Sequence, residues 1–236
     1  MNGIIALVGS GEFTAAMAEV DRSLLAATGR DRPRVAIVPT ASWPDGEAVF
    51  MRWAAQGEAH FAALGAMPVP VLIQNRASAD DPILVAEIAA ADLVYFSGGK
   101  PGHLLAALRD SAAGAALREA HTRGAVIAGC SAGAMVLGGH QLRTGGRRFP
   151  EPPFGWQDGL GLVPGLVVVP HYDAIPETLV APLVLAAPKG AVVVGIDEDT
   201  AVLGRNGAWQ VQGRGRVTIW RGLRRERHRA GATFPI

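Results

Sequence analysis

The sequence predicts an α/β fold: a mainly parallel, doubly wound sheet with helices on both faces in three layers, and a small antiparallel element at the C-terminal end. Three observations carry the prediction. Short, continuously apolar runs such as Gly3-Ile4-Ile5-Ala6-Leu7-Val8 and Ala125-Val126-Ile127-Ala128 recur, as expected of strands buried on both faces. Stretches with apolar residues at helical spacing alternate with them. Beyond residue 200 the alternation gives way to short runs separated by glycine turns.

Taken in order, the first strand ends at Gly9-Ser10-Gly11-Glu12, and Phe13, Met17, Val20, Leu24 and Leu25 then mark a helix. Arg34-Val35-Ala36-Ile37-Val38 is a second strand. Asp45 to Leu64 reads as a helix with Gly57 as its weak point. Val69 to Ile73 is a third strand, placed at an edge by Pro70. Asp80-Asp81-Pro82 starts a helix to about Ala90, and Asp92 to Phe96 is the fourth strand. A glycine-rich loop, Ser97-Gly98-Gly99-Lys100-Pro101-Gly102-His103, precedes the next helix.

The fifth strand runs into Gly129-Cys130-Ser131-Ala132-Gly133, which has the form of a nucleophile elbow. Gln141 to Trp156 reads as a loop or irregular hairpin over the site. Leu166 to Val169 is a strand delivering Pro170-His171-Tyr172-Asp173, and a helix follows over roughly Glu177 to Ala187. Ala191 to Ile196 is a further strand ending in Asp197-Glu198-Asp199, before antiparallel strands at Ala201–Leu203, Trp209–Val211 and Val217–Trp220. No linker stands out, so one domain is expected over 1–236, with a core over 1–220 and a basic tail over 221–236 holding Arg221, Arg224, Arg225, Arg227 and Arg229.

Composition narrows the function. The chain has 236 residues, 49% hydrophobic and 18% charged, with a net charge of +1. That balance describes a globular protein and points to no nucleic acid or other polyanionic partner. No apolar run approaches the roughly 20 residues needed to cross a bilayer, and no signal peptide is recognisable. With a single cysteine, Cys130, a cytoplasmic location is expected. Scattered histidines show no metal-ligand spacing, so neither metal nor cofactor is expected.

A serine at such an elbow needs a base, and the base an orienting partner. Of six histidines, His60 reads as a surface residue, His121 as a helix end, His140 as a loop residue and His228 as part of the tail. His103 and His171 remain, and His171 is favoured because it stands at the carboxyl end of a buried strand, where such sheets bind ligands. Glu198, Asp173, Glu151 and Asp158 are all candidates for the acid. An oxyanion hole would combine the N–H of Ala132 with one from Gly98 or Gly99. Cys130 lacks a glycine on each side at nucleophile spacing and reads as buried and inert.

The double glycine Gly98-Gly99, the elbow with Ala134, Gly159-Leu160-Gly161-Leu162 leading to Pro170-His171, and Gly195-Ile196-Asp197-Glu198-Asp199-Thr200-Ala201 together resemble the S51 serine peptidases, the cyanophycinases and aspartyl dipeptidases. Gly9-Ser10-Gly11-Glu12 and Val38-Pro39-Thr40-Ala41-Ser42 are similar to cyanophycinases as well. The resemblance implies a class I glutamine amidotransferase-like (flavodoxin-like) fold, Ser131 as nucleophile and His171 as base; Gly99 with Ala132 is the expected oxyanion pair. The resemblance also implies Glu198 as acid, since the matching dipeptidase stretch near Gly145-Gly146 has no carboxylate; Glu151 is the fallback. The expected substrate is a small aspartyl or isoaspartyl (β-linked) peptide.

This chain departs from cyanophycinases at Lys100-Pro101 and at Asp173-Ala174-Ile175-Pro176, positions that hold β-aspartyl-arginine there, so its pocket is expected to differ. Lys100, Arg147, Arg148 and Asp173 are the expected substrate-binding residues, with a carboxylate as the target of the cations. A second copy of the chain is a candidate partner. Two other readings compete: an α/β-hydrolase-type esterase using Asp197 or Asp199 with His228, and a binding or assembly module without activity.

Overall fold

Residues 2–143 and 155–236 are described by the structure, a computed structural model. Its first half alternates as the apolar runs dictate: β1 (Ile5–Val8), α1 (Ala18–Ala27), β2 (Arg34–Val38), α2 (Glu47–Ala63), β3 (Met67–Pro70), α3 (Pro82–Ala89), β4 (Leu93–Phe96), α4 (Pro101–Leu108), α5 (Ala112–Arg123), β5 (Val126–Cys130) and α6 (Ala132–Leu137). The second half comprises β6 (Gly138–Arg143), β7 (Gly155–Asp158), β8 (Val163–Val169), α7 (Glu177–Leu185), β9 (Val192–Ile196), β10 (Thr200–Arg205), β11 (Ala208–Gly213), β12 (Arg216–Arg221), β13 (Arg224–Arg229) and β14 (Thr233–Pro235).

The strands divide between two sheets, where the sequence suggested one. The larger has the order β14-β11-β10-β1-β5-β4-β2-β3, parallel from β1 to β3 and antiparallel beyond β1. The smaller has the order β13-β12-β9-β8-β6-β7, with a parallel centre of β6, β8 and β9. Strand β3 sits at the edge, where Pro68 and Pro70 cost the fewest ladder bonds. It begins two residues earlier than the Val69 start suggested by hydropathy alone.

Alternating side chains place the layers. Val8, Val35, Ile37, Leu93, Tyr95 and Cys130 pack with Val20, Leu24 and Phe61 of α1 and α2 on one face of the large sheet. Leu7, Val38, Val94, Phe96 and Ile127 on its other face share one core with α3 to α6 and with Leu166, Val168, Val194 and Ile196 of the small sheet. Helix α7 covers the outer face of the small sheet through Val180 and Val184. Each fully buried side chain of this size contributes about 1.5–3 kcal/mol relative to exposure.

Two expectations change. Helix α2 runs unbroken through Gly57, because a Cβ there would lie 2.6 Å from Ile37 Cγ2 and 2.9 Å from the Phe13 ring. Close helix-to-sheet approach, not a helix break, accounts for that glycine. The basic segment from Arg221 is strand rather than tail. In β13, Arg225 and Arg227 both bind the Glu177 carboxylate on α7, and Arg225 lies over the Trp220 ring at 5.4 Å.

Candidate active site

The parallel register brings three strand ends to one place. Val8 pairs with Cys130 and Phe96 with Gly129, so Gly9–Glu12, Ser97–Gly99 and Ser131 emerge side by side. Ser131 follows β5 directly and has φ 49° and ψ −109°, a strained conformation that aims its side chain out of the sheet. Its N–H still donates to Val8 O at 2.9 Å, which ties the turn to β1. The flanking glycines are required sterically. A Cβ on Gly129 would meet Gly133 C at 2.4 Å, and one on Gly133 would meet Phe96 O at 2.5 Å.

The small sheet supplies the rest. Strands β8 and β9 are parallel, with Val169 opposite Gly195, so His171 and Glu198 both lie two residues beyond their strands. His171 is held in the left-handed region at φ 51°. The next residue, Tyr172, lays its ring where any Cβ on Gly195 would stand, and its hydroxyl accepts the Trp220 indole N–H at 2.9 Å. Ser131 Oγ lies 2.9 Å from His171 Nε2, and His171 Nδ1 lies 2.8 Å from Glu198 Oε1. The turn behind Glu198 is closed by Thr200 Oγ1 donating to Glu198 O at 2.9 Å.

The two amides expected at the oxyanion are those of Ala132 and Gly99. Ala132 opens α6, where N–H groups have no partner within the helix. In the double glycine, Gly98 N–H is already used: it donates to Glu12 Oε1 at 2.7 Å. Among the described residues no hydrogen-bond acceptor is found for the Gly99 amide. Gly99 has φ +137° and packs so closely on Ala41 that a Cβ would lie 2.4 Å from Ala41 O.

Glu12, part of the Gly9-Ser10-Gly11-Glu12 resemblance, carries no expected site role in the sequence. It is buried, and its second oxygen accepts the Cys130 S–H at 2.8 Å. The signal was available: Glu12 is a carboxylate just beyond the carboxyl end of a buried strand. Cys130 is fully buried, and burial first, then the Glu12 charge, pushes its thiol well above the usual range.

The other candidates have the following partners. Asp173 Oδ1 accepts the Glu198 N–H at 2.8 Å, which ties this expected substrate ligand to the loop that carries Glu198. Lys100 is an exposed partner of Asp45 at 3.3 Å. Asp158 pairs with His140 at 3.2 Å. Arg147, Arg148 and Glu151 lie outside the described residues.

His103 Nε2 lies 2.7 Å from Gln74 O, and His121 Nε2 lies 3.1 Å from Gly3 O. His60 is not a surface residue but the partner of buried Asp21 at 2.7 Å; burial raises the Asp21 carboxyl despite that contact. His228 is stacked on Phe234 at 4.3 Å, and Asp197 Oδ2 accepts Arg216 N–H at 2.9 Å, which leaves the esterase arrangement unassembled. Among the described residues no cluster of three or more His, Cys, Asp or Glu is placed to hold a metal ion, and no helix is long and apolar enough to cross a membrane.

A serine on an elbow, an imidazole and a carboxylate in line, set in a mixed α/β fold, form the constellation of a hydrolase that works by acyl transfer. The family model described as peptidase family S51 matches residues 5–211, and the chain belongs to that family. It is a peptidase of the serine type. It is 30% identical over 222 residues to a cyanophycinase of Nostoc sp. (strain PCC 7120), covering 91% of this chain and 72% of that protein. The crystal structure of a peptidase from an acI-B1 actinobacterium superposes with a TM-score of 0.89 at 32% identity, over 100% of this chain and 98% of the other. A putative peptidase E protein from Listeria monocytogenes EGD-e, 17% identical, shares the fold with a TM-score of 0.63, over 91% of this chain and 100% of the other.

Proposed function

We propose that this peptidase hydrolyses small peptides at an aspartyl or isoaspartyl (β-linked) bond through an acyl-enzyme on Ser131. The observation that carries the reading is the pair of contacts at His171, 2.9 Å to Ser131 and 2.8 Å to Glu198. As Ser131 Oγ attacks the carbonyl carbon, its proton passes to His171 Nε2. Glu198 accepts a hydrogen bond from Nδ1–H without taking the proton, fixing the tautomer and offsetting the charge of the imidazolium. The amides of Gly99 and Ala132 receive the oxyanion. His171 then gives its proton to the leaving amine as the C–N bond breaks. A water, deprotonated by the same imidazole, releases the acid and restores Ser131.

Support for the aspartyl half comes from the S51 resemblance and from the cyanophycinase relative. Lys100 stays our candidate to meet a substrate carboxylate: it is exposed beside the double glycine, and its ion pair with Asp45 at 3.3 Å is open to exchange. A serine-directed fluorophosphonate tests the chemistry. It should label the wild-type chain at Ser131 and not Ser131→Ala, and the variant should lose hydrolysis of aspartyl dipeptides. Undiminished turnover by a folded Ser131→Ala chain would remove Ser131 from the mechanism.

A further inference from the structure

A cavity of about 280 Å³ opens beside Ser131 on the side of His171. Apart from those two residues, the described side chains around it are apolar, aliphatic, thioether or indole; they include Met135, Leu142, Trp156, Ile175 and Leu183. No carboxylate lines it among the described residues. Resting on the assignment of Ser131 and His171 above, we infer that this cavity receives the side chain of the leaving residue, and that the preferred substrates carry an apolar residue there, of the size of leucine, methionine or phenylalanine.

The argument is positional. In acyl transfer the base that takes the serine proton returns it to the departing amine, so the leaving half of the peptide lies against the imidazole. The cavity is walled by His171 and by the strand that carries it, Val167 to Pro170, whereas the double glycine proposed for the oxyanion does not line it. Its volume lies near the lower end of the range for ligand pockets, about 300–1,000 Å³. That is room for one side chain, not for an extended polymer. A guanidinium or ammonium group placed there would give up water for apolar surface with no counter-charge among the described lining residues, which burial penalises heavily. An apolar side chain gains by the same transfer.

The test is a panel of β-aspartyl and α-aspartyl dipeptides whose second residue is Leu, Phe, Arg, Lys or Glu, with kcat/KM measured for each. Apolar second residues should be favoured at least about tenfold, the discrimination a hydrophobic pocket gives. Leu183→Asp, at a partly buried position on α7, should shift the ratio of Arg to Leu turnover upward about tenfold or more, while Leu183→Met should keep the wild-type order. Thermal unfolding of both variants separates pocket effects from loss of fold. Equal or better cleavage of the Arg or Lys peptides by the wild type overturns the inference and leaves the nucleophile standing. So does labelling of Ser131 by fluorophosphonate with no cleavage of any apolar member. Absence of both labelling and cleavage overturns the catalytic reading with it.

Discussion

Asp173 and Glu198 are joined across the site: Asp173 Oδ1 accepts the backbone N–H of Glu198 at 2.8 Å. The bond links the loop after β8, which carries the proposed base, to the loop after β9, which carries the proposed acid. Neither loop belongs to a sheet at this point, since Asp173 lies in a single 3-10 turn over Tyr172–Ala174, so a side chain supplies the spacing that a ladder would supply elsewhere. Removing the acceptor in Asp173→Ala should lower kcat about 10- to 100-fold, as loss of a residue that orients a reacting group does. Stability should fall by only about 1 kcal/mol. Asp173→Asn keeps an acceptor oxygen and should recover most of the activity. Equal kinetics in the Ala variant would show that the brace is dispensable.

Glu198 is an exposed acid, with 49% of its side chain accessible. Solvent can replace part of what it does for the imidazole, so its loss should cost less than the loss of a buried triad carboxylate. Glu198→Gln is expected to lower kcat about 10²- to 10³-fold, against about 10⁴-fold for a buried acid. Single-turnover rates measured against pH provide the check. A variant within twofold of wild type would rule Glu198 out as the orienting acid.

Glu12 holds the double-glycine loop from beneath. In Glu12→Gln one side-chain atom becomes a donor and can no longer accept from both Gly98 N–H and Cys130 S–H. Stability should drop by about 1–3 kcal/mol for a buried group left unsatisfied. The turnover rate should fall about tenfold with little change in KM, because the loop carries the proposed oxyanion donor and not a contact to the ground-state substrate. A urea titration and a kcat/KM split together decide the matter, and an unaltered kcat would confine Glu12 to structure.

Cys130 adjoins the proposed nucleophile in sequence but points into the core beside Glu12. With its thiol pushed up by burial and by that carboxylate, the reactive thiolate is scarce at neutral pH. The native chain should resist iodoacetamide, and the same chain in denaturant should react completely. Rapid alkylation of folded protein would contradict this environment.

Burial lowers the His121 imidazole below its usual range, even though its contact with Gly3 O acts the other way. The unfolded chain therefore binds the proton more readily than the folded one. The stability tied to this residue is intact above the ordinary histidine value of about 6.5 and is lost as pH falls through the lowered folded value. Acid should thus weaken the wild type more than His121→Gln. Urea midpoints at about pH 5 and pH 7.5 test it; parallel shifts in the two proteins would rule out His121 as a source of acid lability.

Much of the fold was legible because buried parallel strands write themselves as continuous apolar runs, as at Ile5–Val8 and Val126–Cys130. The elbow was legible for a related reason: backbone crowding at Gly129 and Gly133 admits only glycine. The division into two sheets was not, since β5 and β8 have the same local pattern and nothing in either states which neighbour it pairs with. The strand character of β13 was hidden by its arginines, whose partners, Glu177 and Trp220, are about 50 and about 5 residues away in sequence. Asp173 and Glu12 were legible as carboxylates at strand ends. What they bind is a long-range fact, 25 and 86 residues distant along the chain, on which local sequence is silent.

The division of strands between two sheets makes the proposed site a joint and not a feature of one element. Ser131 hangs from the large sheet, His171 and Glu198 from the small one, and the core the sheets share, with Leu7, Phe96, Leu166 and Ile196 in it, sets the span between them. A change of packing in that core, far from all three residues, would alter the distance over which the proposed proton transfer has to run.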